Sequence, residues 1–327
     1  MELSEPPFEK TYSSIFRNTG VKSTKLIVVE ECELPLIDLS RLRLNDSDRE
    51  ACMRDIAEAS KKWGFFQVVN HGISLEILER MHDEQVKVFR QPFDCKEKSQ
   101  IFSADSYRWG TPNATSLKQF SWSEAFHIPL TDISTTEKDC NTLRVTIEEF
   151  ASTVSDLAQR IADILAEQLG QKTTFFAENC LPNTCYLRLN RYPPCSISSE
   201  VFGLMPHTDS DFLTILYQDH VGGLQLVKEG RWIKVKPNPA ALIINIGDLF
   251  QAWSNDVYKS VEHRVMANRS VERFSIAYFL CPSYETVIQS CRKPPVYKEF
   301  SFREFRRQVQ EDVKRVGYKV GLPRFFM

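Results

Sequence analysis

Met205-Pro206-His207-Thr208-Asp209-Ser210-Asp211-Phe212-Leu213-Thr214-Ile215-Leu216-Tyr217 is the stretch from which the rest of the chain can be read. Its second half is rich in β-branched and aromatic residues and predicts a strand over Leu213–Tyr217. Its first half sets a histidine and an aspartate two positions apart ahead of that strand, a spacing that brings both side chains to one face. Working outward, similar short runs predict strands at Tyr186–Leu189, Leu224–Val227, Trp232–Val235, Leu242–Ile246, Glu262–Met266 and Phe274–Leu280. Turn residues such as Glu229-Gly230 and Pro237-Asn238-Pro239 separate them. Many short, evenly spaced strands imply a sandwich or jelly roll.

Two further segments turn the histidine and aspartate into a site. Val261-Glu262-His263-Arg264-Val265 supplies a second histidine, and Arg273-Phe274-Ser275 follows it. Two imidazoles and a carboxylate on one face of an octahedral metal leave three positions open, the arrangement of a non-haem Fe(II) facial triad. His207, Asp209 and His263 are therefore the candidate iron ligands. Taken singly, His207 passes for a loop histidine and His263 for a core one; the combination with Arg273 and Ser275 carries the reading.

Arg273 and Ser275 stand two apart in a strand and point the same way. A guanidinium fork and a hydroxyl suit one carboxylate. The far carboxylate of 2-oxoglutarate, whose keto-acid end would chelate the iron, fits that pair. Ala277 and Phe279 continue the same face, so Phe279 is a candidate pocket wall. Upstream, Arg188, Asn190 and Tyr192 also share a face, with Asn190 and Tyr192 as further candidates for the co-substrate. Arg188 reads either as a cation beside the iron, suited to an acidic substrate, or as a solvated edge arginine.

The first half of the chain reads as helical. Ser47 with Glu50 predicts a capping box for a helix presenting Ile56, Ala59, Ser60 and Trp63 and ending at Gly64. A strand over Phe65–Asn70 and a helix from about Ser74 follow. The longest helix is expected over 142–169, with Ile147, Phe150, Val154, Leu157, Ile161 and Leu165 on one stripe. A last helix is expected over 301–315, with Phe302, Phe305, Val309 and Val313 inward. The fold class is α+β: a double-stranded β-helix (jelly roll) core, an N-terminal helical and strand region, and a long bracing helix. The expected divisions are a segment at 1–32, a helical region at 33–183, the jelly-roll core at 184–285, and a helix and tail at 286–327, together one compact unit.

Composition narrows the class. Lys and Arg number 41 against 43 Asp and Glu, so no basic face for nucleic acid or anionic membrane is expected. The first ten residues hold no apolar run, so no secretory leader is expected. Nine cysteines cannot all pair internally and form no C-x-x-C; free thiols in a cytoplasmic protein are the simplest reading. Oligomeric state is left open.

Residues 33–327 resemble plant 2-oxoglutarate- and Fe(II)-dependent dioxygenases. The resemblance rests on Trp63-Gly64-Phe65-Phe66-Gln67-Val68-Val69-Asn70-His71-Gly72, Asn190-Arg191-Tyr192-Pro193-Pro194-Cys195, His207-Thr208-Asp209, Gly223-Leu224-Gln225-Leu226, Asn245-Ile246-Gly247-Asp248, His263-Arg264-Val265 and Arg273-Phe274-Ser275. Glu5-Pro6-Pro7-Phe8, Phe120-Ser121-Trp122-Ser123-Glu124-Ala125-Phe126-His127 and the run Asp209–Asp219 are most similar to gibberellin 2-oxidases, in the subgroup acting on C20 precursors.

That resemblance implies 2β-hydroxylation of a gibberellin, with Fe(II) as cofactor, 2-oxoglutarate and O2 as co-substrates, and ascorbate as activator. It also implies that Phe126 and His127 border the substrate entrance. The alternatives are a relative acting on another gibberellin carbon or a flavonoid, a relative that uses ascorbate in place of 2-oxoglutarate, and a hormone-binding protein on an inactive oxygenase fold.

Overall fold

The computed structural model describes residues 4–17, 29–98, 102–103, 105–112, 114–135, 141–180, 183–197 and 201–327. In chain order the helices are α1 (Phe8–Thr11), α2 (Ser13–Arg17), α3 (Asp46–Lys62), α4 (Leu75–Phe89), α5 (Phe93–Glu97), α6 (Asn141–Glu167), α7 (Thr174–Asn179), α8 (Asp248–Trp253) and α9 (Phe302–Val316). The first strands are β1 (Glu31–Cys32), β2 (Leu36–Asp38), β3 (Phe65–Val69), β4 (Tyr107–Trp109) and β5 (Glu124–Pro129). Then come β6 (Tyr186–Tyr192), β7 (Phe202–His207), β8 (Leu213–Gln218), β9 (Leu224–Lys228), β10 (Arg231–Val235) and β11 (Leu242–Ile246). The last are β12 (His263–Met266), β13 (Arg273–Leu280), β14 (Val287–Ile288) and β15 (Phe300–Ser301).

Local chemistry explains most of these limits. Asn45, not Ser47, caps α3: its side chain accepts from the Asp48 amide, and Asp46 and Asp48 then sit in the first turn. Asn caps as well as Ser, and coming first it also gains two carboxylates on the positive end of the helix dipole. Ser74 caps α4 in the same way. Ser301 and Glu304 form a full capping box on α9, which ends at Gly317 with φ +84°. Val313, expected inward on α9, is 48% exposed. The inward position of that turn goes to Asp312, which pairs with Arg324 at 2.9 Å.

Two sheets face each other. One runs β1-β10-β9-β12-β7, the other β2-β3-β11-β8-β13-β6-β5-β4, and β14-β15 form a small third sheet. This is the double-stranded β-helix expected from the strand spacing. A small core of Leu34, Phe65, Leu224, Leu226, Val235, Ile243 and Val265 fills the space between the sheets. The larger core lies on the outer face of the eight-stranded sheet, where α6 packs on β8 and β13. The α6 stripe of Ile147, Phe150, Val154, Leu157, Ile161 and Leu165 is buried along its length.

Some elements were not expected. Strand β7 contains Gly203 and Pro206, both strand breakers by type. Here Gly203 is needed, because a Cβ would lie 2.6 Å from the Tyr192 ring. Strand β5 contains Glu124, fully buried and held by Lys96, Arg191 and the Tyr107 hydroxyl. The N-terminal segment contributes two short helices and the strand β1: Phe8 stacks on Trp122 with ring centres 4.5 Å apart, and Glu5 reaches Arg191 at 3.1 Å. The eight cysteines among the described residues are all free. Among the described residues no helix is long and apolar enough to cross a membrane.

Candidate active site

Strand pairing brings the distant histidines together. His263 on β12 lies opposite His207 at the end of β7, and their rings are 4.3 Å apart. Asp209 follows His207 and completes the group. One ligand atom from each of the three lies within 4.8 Å of the others. His207 Nε2 is 3.6 Å from Asp209 Oδ1, and His263 Nε2 is 3.8 Å from Asp209 Oδ2.

The supporting hydrogen bonds set the tautomers. His207 Nδ1 donates to the Met205 carbonyl at 2.8 Å, and His263 Nδ1 donates to the Val261 carbonyl at 3.0 Å. Each Nε2 is thereby left as a lone-pair donor facing Asp209. Burial, and then the neighbouring His263, push His207 down to about 3. Burial raises Asp209, but the two imidazoles and hydrogen bonds from Thr214 and Asn245 outweigh it and leave the carboxyl at about 2. The site thus keeps a neutral His207 imidazole and an ionised Asp209 carboxylate beside the His263 ring, which fits the donor set and open face of Fe(II).

The eight-stranded sheet forms the opposite wall. Across β13 and β6 the pocket-facing pairs are Arg273 with Tyr192, Ser275 with Asn190, Ala277 with Arg188, and Phe279 with Tyr186. All eight line a cavity of about 220 Å³ together with His207, Asp209 and His263. A larger cleft of about 510 Å³ between α3 and α6 shares none of these residues.

Arg273 fits a carboxylate ligand on an observation of its own. It is 2% exposed, yet no carboxylate among the described residues pairs with it. Its Nη2 donates to Gln218 Oε1 at 2.7 Å and its Nη1 to Ser275 Oγ at 3.3 Å, while Nε is buried without a partner. Gln218 Nε2 is orphaned likewise. A buried, unneutralised guanidinium is costly unless an anion arrives, and the carboxylate of 2-oxoglutarate meets that need. Tyr192 lies under the guanidinium, ring centre 4.8 Å from Cζ.

Arg188 lines the cavity, and its guanidinium makes no hydrogen bond or ion pair among the described residues, so the solvated-edge alternative gives way to a pocket position. Next to it, the His127 ring lies tilted against Tyr186 with centres 4.1 Å apart, and Tyr186 stacks on Phe279 at 4.4 Å. Burial, and then Arg188, push His127 down to about 4, so it is a neutral ring in this wall. Phe126 is a correction. It is fully buried against Phe89, Phe102 and Tyr107, on the face away from the cavity. Side chains alternate along a strand, so Phe126 and His127 cannot both lie on the pocket side; the pairing of His127 with Arg188 puts His127 there, behind Tyr186, which itself lines the cavity.

Sequence reasoning missed Tyr186, Thr214, Gln218 and Asn245. Tyr186 shares the two-residue alternation of Arg188 and Asn190 and could have been found from it. Thr214 and Asn245 lie opposite each other on β8 and β11, and only that pairing reveals their joint hold on Asp209.

Comparison with known proteins agrees with this geometry. Residues 183–282 match the profile of the 2OG-Fe(II) oxygenase superfamily, and 34–144 that of the N-terminal region of a non-haem dioxygenase in morphine synthesis. The chain is 62% identical to gibberellin 2-beta-dioxygenase 8 of Arabidopsis thaliana over 98% of both chains. It is 50% identical to gibberellin 2-beta-dioxygenase 6 of Oryza sativa subsp. japonica, over 91% of this chain and 86% of that one. Among solved structures, JOX2 in complex with 2OG, Fe and JA aligns at TM-score 0.74 and 31% identity over 94% of both chains. The dioxygenase for auxin oxidation in rice aligns at 0.76 and 28%, over 90% of this chain and all of that one. With its donor triad and its unneutralised Arg273, the chain belongs to the 2OG-Fe(II) oxygenase superfamily, as an Fe(II)- and 2-oxoglutarate-dependent dioxygenase of the gibberellin 2-beta-dioxygenase family.

Proposed function

We propose that this enzyme hydroxylates gibberellins at the 2β position, with C20 gibberellins as substrates, and so withdraws the hormone or its precursor. The observation that carries the reading is a pair of unneutralised guanidiniums, Arg273 and Arg188, in one pocket with the metal donors. Two cations call for two carboxylates: one on 2-oxoglutarate, one on the substrate. A gibberellin is an apolar polycycle bearing a carboxylate. Phe279, Tyr186 and Leu216 offer the apolar wall, and Arg188 the anchor. The names of the relatives support the polycycle and the carbon attacked.

In this reading His207, Asp209 and His263 hold the iron, and Arg273, Ser275 and Tyr192 hold the far end of 2-oxoglutarate. Fe(II) supplies the oxidation when bound: O2, 2-oxoglutarate and substrate C–H become succinate, carbon dioxide and an alcohol. The protein residues bind, orient and exclude water. Arg188 sets which C–H faces the metal by pinning the carboxylate, and the stacked Tyr186 and Phe279 rings, backed by His127, fix the plane of the substrate rings. A cytoplasmic location belongs to the same proposal and is supported by the free thiols.

The test supplies the purified protein with Fe(II), 2-oxoglutarate and either a C20 or a C19 gibberellin, and reads products by mass spectrometry and NMR. The expected result is one added oxygen, at carbon 2 in the β orientation, formed faster from the C20 acid. Oxygen at another carbon, turnover of a flavonoid alone, or binding without turnover would each overturn it.

A further inference from the structure

Lys319 lies in the tail beyond α9, 111 residues from Thr208 in sequence, yet its side chain is only 11% exposed. An ammonium has three protons to donate, and three acceptors surround this one. They are the Thr208 carbonyl at 2.9 Å, Ser210 Oγ at 2.6 Å and Asp248 Oδ2 at 2.7 Å. Thr208 is the residue between His207 and Asp209, and Ser210 follows Asp209. The tail therefore grips the segment leaving β7, from its last residue His207 to Asp209, that carries two of the three metal donors.

Asp248 extends the grip to the third. Its amide donates to the Asp209 carbonyl at 2.9 Å. Its Oδ2 accepts from Thr208 Oγ1 at 3.2 Å, and its Oδ1 from Ser260 Oγ at 2.7 Å. Ser260 leads into β12, which begins at His263. Asp248 is 4% exposed at its side chain and stands near Asp209 and Asp211, so Lys319 also balances a buried cluster of carboxylates.

We propose that the Asp248–Lys319 pair is a positioning device for the metal centre, coupling the docked C-terminal tail to metal affinity. This rests on His207, Asp209 and His263 being the ligands. The pair holds that segment and the lead to β12 at the separation the metal needs. Coupling is reciprocal, so metal must in turn steady the tail. A merely structural anchor would contribute to stability alone.

The test uses the full chain and Mn(II) alone, with calorimetric affinity and melting temperature read together. Lys319→Met is expected to weaken Mn(II) binding by about ten- to a hundredfold, the range for removing a support of metal ligands, and Lys319→Arg to restore part of it. In the wild type, amide exchange across residues 317–327 should slow when Mn(II) is added, and should not respond in Asp209→Ala. The exchange result decides even if Lys319→Met does not fold. Mn(II) affinity within twofold of wild type in Lys319→Met, or tail exchange indifferent to Mn(II), overturns the proposal. Equal Mn(II) binding by Asp209→Ala would overturn the ligand assignment beneath it, and the coupling with it.

Discussion

Asn245 donates its side-chain amide to Asp209 Oδ2 at 2.7 Å, and Thr214, opposite Asn245 on the next strand, donates its hydroxyl to the same oxygen at 2.7 Å. Two donors on one oxygen leave Oδ1 as the better placed ligand atom. They also fix the rotamer of a carboxylate that sits on a loop rather than within a strand.

The first prediction follows from that bond. Asn245→Ala removes a charge-assisted hydrogen bond, worth about 1.5–3 kcal/mol. Metal affinity should fall by about ten- to a hundredfold, while 2-oxoglutarate affinity at saturating metal changes little. Calorimetry with Mn(II) checks the first effect, and the 2-oxoglutarate Michaelis constant at high metal checks the second.

Arg273→Lys is predicted to be a severe change despite its conserved charge. Lysine cannot reach Gln218 and Ser275 while presenting a planar fork, and it loses the face-on contact with Tyr192. With about 1.5–3 kcal/mol for each charge-assisted bond lost, the Michaelis constant for 2-oxoglutarate should rise at least about tenfold. Initial rates across a 2-oxoglutarate series decide it.

How much of this site could be read from residues alone depends on how local each signal is. Arg273 and Ser275 are two apart on β13 and line the same cavity, as strand alternation requires; Asp209 lies past the end of β7, so its closeness to His207 comes from a loop and not from alternation. The strands Leu213–Gln218 and Leu242–Ile246 announced themselves through β-branched runs. Strand β7 did not, because Gly203 and Pro206 hide it, and Gly203 makes sense only beside the Tyr192 ring. Phe126 was misplaced because a shared motif names neighbours, whereas a strand turns neighbours to opposite faces. Gln218 and Lys319 carry no local signal, and Asn245 enters only as a member of a shared motif without a role; their partners come from other strands or from the tail.

Arg188→Met is predicted to weaken gibberellin binding while leaving 2-oxoglutarate nearly unaffected. A substrate carboxylate left without its buried partner costs about 2–5 kcal/mol. The methyl ester of the same gibberellin should lose far less. Equal losses for acid and ester would show that another group holds the carboxylate.

Stability offers an independent check, away from the metal. Glu124 and Lys96 are fully buried and Arg191 is 1% exposed at its side chain. Removing one member of such a network strands the others, at a cost of about 3–5 kcal/mol. Glu124→Gln should therefore lower the denaturant midpoint strongly, with the N-terminal segment loosening first because Glu5 and Ser4 attach to Arg191 and Lys96. Limited proteolysis near residue 17 and urea unfolding would show both effects.

The most direct measurement of the whole account is the ratio of succinate released to hydroxylated gibberellin formed, in one anaerobically assembled and oxygen-started reaction. Wild-type protein should give one succinate per product. His207→Ala, Asp209→Ala and His263→Ala should give neither, with far-UV circular dichroism unchanged. Product without succinate, or full turnover in any of the three variants, would contradict it.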